Sequence, residues 1–139
     1  MSKGNTTEND LVRHLFNAVA MPSYGAILYL SLHTADPGEA GAQNTSEAAY
    51  PDYARVAITR DGTGWSVVGP TATLNTEATF PECNASFGLG TEILTHIAIG
   101  TAASGAGQIL YSGALTAPVI VSALDTPRIP VGALTVTED

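Results

Sequence analysis

Three histidines, one cysteine and a set of acidic residues are the groups here that could do chemistry. The most suggestive run is His33-Thr34-Ala35-Asp36. An aspartate that orients a histidine, with a serine as nucleophile, is a hydrolase arrangement. No Gly-x-Ser-x-Gly elbow exists in the chain to expose such a serine. The structural alternative is that Asp36 caps the Asp36-Pro37-Gly38 turn while His33 bonds to the loop beside it. His14 falls one residue off an apolar helix stripe. His96, between Thr95 and Ile97, reads as a hydrogen-bonded strand histidine.

Asp36, Glu39, Glu47 and Asp52 surround one loop, but their spacing does not match the D-x-[DN]-x-[DN]-G pattern of a calcium loop. They read as a solvated acidic loop. The run from Gly100 to Gly107 lacks the Gly-Lys-Ser/Thr ending of a phosphate cradle and precedes a strand, so it reads as a flexible hairpin loop. Cys83 has no second cysteine to join it in a disulfide, a zinc site or a redox pair, and is expected to be a buried free thiol. The expectation is a chain with no catalytic residue, no metal and no cofactor.

Alternation and turn chemistry define the elements that would hold these groups. Leu11, Val12, Leu15, Phe16 and Val19 recur at a helical period, predicting an amphipathic helix from Glu8 to about Ala20. Thr7 and Asp10 resemble its capping box, and Met21-Pro22 stops it. So short a helix needs something for its stripe to pack on, either its own sheet or a neighbouring subunit. Then the period becomes two. Ile27 to His33 reads as a strand with Leu28, Leu30 and Leu32 on one face.

A long polar loop leads to further expected strands at Tyr53–Thr59, Trp65–Val68, Thr71–Leu74, Glu92–Ile99, Gln108–Tyr111 and Leu115–Val121, and Val131–Thr137 closes the chain. Pro118 suits an edge or a bulge, and Pro127 and Pro130 bracket another edge-like segment. About eight short strands with regular turn signals predict an all-β, jelly-roll-like β-sandwich with one N-terminal amphipathic helix. The 139 residues read as a single domain, with an arm and helix over 1–22 and the sandwich over 26–137.

Thirteen acidic residues against five basic ones give a net charge of −8, with Lys3 the sole lysine. No basic stripe exists to neutralise phosphates, which argues against nucleic acid as a partner, and an anionic membrane would repel this surface. No apolar run approaches the roughly 20 residues of a membrane span. The lone cysteine points to synthesis in a reducing cytoplasm, and since the polar start has no signal-peptide core, three Asn-x-Ser/Thr matches read as accidental.

Several segments, taken in order, resemble a known family. They are Leu28 to Gly38, Tyr53 to Ile58, Trp65, Ile93 to Ala102 and Leu110 to Leu115. The set is similar to small virion proteins of tailed bacteriophages, loosely described as tail-fibre-like, and also to small jelly-roll cement proteins of phage heads. The resemblance implies a non-enzymatic structural role on the virion. Foremost is a capsid cement or decoration protein on the outer head surface, bridging the major capsid protein and self-associating as a homodimer or homotrimer. The alternative is a tail or fibre component or adaptor. A carbohydrate-binding sandwich or small hydrolase ranks last. A fibre would favour sequence repeats, and none is present.

The expected partner-contact residues lie in three segments. Leu11, Leu15 and Phe16 represent the N-terminal segment. Asp36, Glu39, Asn44, Tyr50, Tyr53 and Arg55 represent the long loop and the strand after it. Ser104 represents the glycine-rich loop. Arg55 and Arg60 are free to pair with acidic groups of a partner or of the same chain.

Overall fold

The computed structural model describes residues 1–138. It is an all-β sandwich of ten strands in three antiparallel sheets, with one N-terminal helix. The elements are β1 (Ser2–Lys3), α1 (Asn5–Asn17), β2 (Ile27–His33), β3 (Val56–Thr59), β4 (Trp65–Val68) and β5 (Thr71–Leu74). They continue with β6 (Ala78–Thr79), β7 (Thr91–Gly100), β8 (Ile109–Ser122), β9 (Arg128–Ile129) and β10 (Thr135–Thr137). A single 3₁₀ turn spans Ala85–Phe87.

The large sheet has the order β1-β8-β7-β2-β3. The alternation in β2 places Leu28, Leu30 and Leu32 on the inner face, where Leu30 pairs with Ile99 and Leu32 with Ile97. Across the core lie the three-stranded sheet β10-β5-β4 and the pair β6-β9. Leu74, Phe80, Leu94 and Val121 are sealed between them with Cys83, the buried free thiol expected. Each such large apolar side chain contributes about 1.5–3 kcal/mol by burial.

The opposite face of the large sheet is small and polar. Ser31, Ala98 and Ser112 lie side by side, all buried, with Ser31 paired to Ala98 and Ala98 to Ser112. The 34–55 loop crosses this face, stitched by backbone pairing of His33 with Glu47 and Ala42 with Gln108.

Three elements differ from their expected form. α1 runs over Asn5–Asn17, three residues earlier at each end. Gly4 precedes it, and the Asn5 N–H donates to Glu39 O at 2.8 Å, so a distant carbonyl takes the end that Thr7 was expected to cap. Ala18 in the left-handed conformation and a Val19 N–H to Arg13 O bond close it. β3 starts at Val56, because a tight turn with Asp52 at φ 70° occupies the chain before it. The two strands expected over 108–121 are one, β8, kinked where Leu94 pairs with Val119 but His96 with Ala114. Pro118 lies inside that bulge on the sheet edge.

Candidate functional site

Glu47, Tyr53 and Arg55 form a partly buried polar cluster where the long loop meets the sheet. Glu47 binds Arg55 at two points, Oε1 to Nε at 2.6 Å and Oε2 to Nη2 at 2.8 Å. The Arg55 side chain is only 2% exposed. Its remaining donors go to Ala102 O at 2.8 Å and Gly105 O at 2.6 Å. The Tyr53 hydroxyl donates to Glu47 Oε1 and accepts the Leu32 N–H, each at 3.1 Å. Burial pushes its pKa far above the usual phenol range. Tyr50 is 2% exposed, with burial raising its pKa to about 12. Its ring meets Tyr53 edge-on, and Tyr53 stacks on Phe80.

Tyr50, Tyr53 and Arg55, expected to touch a partner, are thus committed inside the chain. The glycine-rich loop is likewise tied down rather than free. Gln43, fully buried, accepts the Ala102 N–H at 2.9 Å and donates to Tyr29 O at 3.3 Å. A Cβ on Gly100 or on Gly107 would fall 2.1 Å from the Gln43 side chain, so these glycines make room for it. Ser104 stays exposed at the loop tip.

His33 does acquire a serine, though not the arrangement of a hydrolase. Its Nδ1 donates to Thr45 O at 2.8 Å, which makes Nε2 the acceptor for the Ser31 hydroxyl at 2.9 Å. Both residues are fully buried, so no substrate reaches the pair. Desolvation lowers the His33 pKa. Asp36 accepts the Gly38 N–H at 2.9 Å and holds the turn instead of orienting His33. The four acidic residues of the loop do not converge. Glu47 is committed to Arg55, Asp52 accepts from Asn84 at 2.8 Å, and Asp36, Glu39 and Asn44 stand exposed.

Two features stand out as able to engage another molecule. The first is α1. Its root is polar: Thr7 Oγ1 donates to Ile109 O, and Gln108 reaches both Thr7 and Asp10. Val12, Leu15 and Phe16 of its apolar stripe are exposed, Phe16 at 80%, and so is Val19 just beyond its end. Leu11 is half-buried. The second is an open cleft of about 690 Å³ where the two larger sheets splay apart. Leu28, Ile99 and Tyr111 line it from one sheet and Trp65, Val67 and Val136 from the other, with Asp61 and Glu138 among its polar residues. Val67 is 69% exposed, and the buried Trp65 indole N–H has no acceptor among the described residues. The period of the stripe was legible in the sequence. The cleft was not, since it depends on how two sheets diverge.

No curated protein matches the chain. A family model described as podophage GP4 fiber I protein gp80 matches residues 2–137. That span takes in α1, all three sheets and the cleft except for Glu138, and the chain belongs to this family.

Proposed function

We propose that this protein is a non-catalytic structural component of a phage virion, built into a fibre or its attachment point. Membership of a family described as a fiber protein, over nearly the whole chain, carries the reading. The site geometry supports it. The one serine–histidine pair among the described residues is sealed, and the exposed apolar surfaces suit contact with other proteins. A surface of net charge −8 suits an exterior position away from the genome.

Capsid cement is the second reading, favoured by a compact sandwich without sequence repeats. There the partner is the major capsid protein on the outer head surface. Copy number separates the two. Quantitative mass spectrometry of purified virions, with gold-labelled antibody to locate the protein, should find a small fixed number of copies at the fibres. Hundreds of copies in ratio to the major capsid protein, with label over the head, would replace the fibre reading by cement. Absence from virions would overturn both.

A further inference from the structure

The α1 stripe and the cleft are two unfinished apolar surfaces of this chain, and they share a rim. The helix is rooted on β8, where the Gly4 N–H donates to Leu110 O at 3.1 Å and Thr7 Oγ1 to Ile109 O at 3.0 Å. Leu110 also lines the cleft, as does Tyr24 on the connector that returns from the helix. The root is fixed, yet the exposure of Leu15 and Phe16 shows that the distal half of the helix stands clear of its own body. The cleft is the open end of the sandwich core, where the inward-facing Val67 is left in water.

From this juxtaposition we infer that two copies of the chain associate by reciprocal exchange, the α1 stripe of each seated in the cleft of the other. A shared rim favours a two-fold arrangement, because bringing one helix over the partner cleft brings the second helix over the first. One short helix in one cleft is a small contact. The two-fold doubles it toward the roughly 1,600 Å² of a specific interface.

Charge supports a second copy as the occupant. Residues 11–35 contain no acidic residue, although the chain has thirteen. Arg13, flanking the stripe, pairs with no carboxylate among the described residues. The cleft offers Asp61, whose carboxylate accepts only from Thr59, Thr63 and Gly64, while the neighbouring Arg60 of the lining is turned to Gly25 O and the Tyr24 ring. An amphipathic helix laid in an apolar groove is a common mode of recognition.

The inference does not depend on where in the virion the protein sits, and it is tested on the purified full chain. Sedimentation should find a dimer for the wild type and a monomer for Leu15→Glu and for Val67→Glu. Both positions are exposed in the single chain, so circular dichroism should show each variant folded. Mixing a Phe16→Cys chain with a Val67→Cys chain should give a disulfide between copies, with the buried Cys83 silent. A wild type that stays monomeric into the high micromolar range would overturn the exchange. So would a dimer that survives both charge substitutions, or a Phe16→Cys, Val67→Cys double variant that closes within one chain.

Discussion

Glu47 and Arg55 face each other through a two-point ion pair beneath the long loop, and Arg55 carries its other donors onward to Ala102 and Gly105. One guanidinium therefore clamps two loops, 34–55 and 100–107, to each other.

Removing one side of this pair strands the other charge in a buried place. Glu47→Gln is expected to cost about 3–5 kcal/mol of stability. Arg55→Lys should also destabilise, since a point charge cannot serve four acceptors held in a fork. Urea unfolding checks both, as a lowered midpoint with an unchanged slope.

Gly100→Ala should cost about 1–3 kcal/mol, because the added methyl meets the Gln43 side chain, which is fully buried and tied at both ends. In a Gln43→Ala background the same change should cost less than it does alone. A double-mutant cycle reads that coupling, and additive losses would argue against the contact.

Asp61 predicts an acid limb of stability. Hydroxyls of Thr63 and Thr59, with the Gly64 and Thr63 N–H groups, hold its carboxyl down at about 2, below the ordinary 3.8. A carboxylate depressed in the folded state stabilises above its unfolded pKa and loses that share as pH falls through the folded one. The loss should therefore run from about pH 4 down to about 2. Asp61→Asn should flatten that part of the melting-temperature profile.

His33 adds a second limb at higher pH. Its pKa is lowered by burial, so the neutral ring stabilises the fold above the ordinary 6.5, and this share fades as acid forces a proton onto it. His33→Gln should lose stability at neutral pH yet show a shallower decline below about pH 6.5. Ser31, sealed beside it, should resist a fluorophosphonate label in the folded protein and gain no special reactivity on unfolding.

Legibility in the sequence followed periodicity. β2, β4 and β5 stand at their expected residues, because alternation between strong turn signals has one structural meaning. The helix moved by three residues because its first N–H finds Glu39, a carbonyl 34 positions away that no local pattern announces. Gln43 and Glu92 went unnoticed for a similar reason. Each is a polar residue in an unremarkable setting whose role is to receive backbone N–H groups from elsewhere: Ala102 for Gln43, and Ala49 and Tyr50 for Glu92. Tyr50, Tyr53 and Arg55 are residue types that serve interfaces and interiors equally well. Only the fold shows that here they face inward.

The bulge at Pro118 bears on how such a protein stays useful at high concentration. Beyond Gly113, β8 has no outer neighbour among the described residues, a bare strand edge of the kind that nucleates endless sheet growth. A kink and a residue without an N–H interrupt that edge midway. Backbone-to-backbone growth along that edge is thereby hindered.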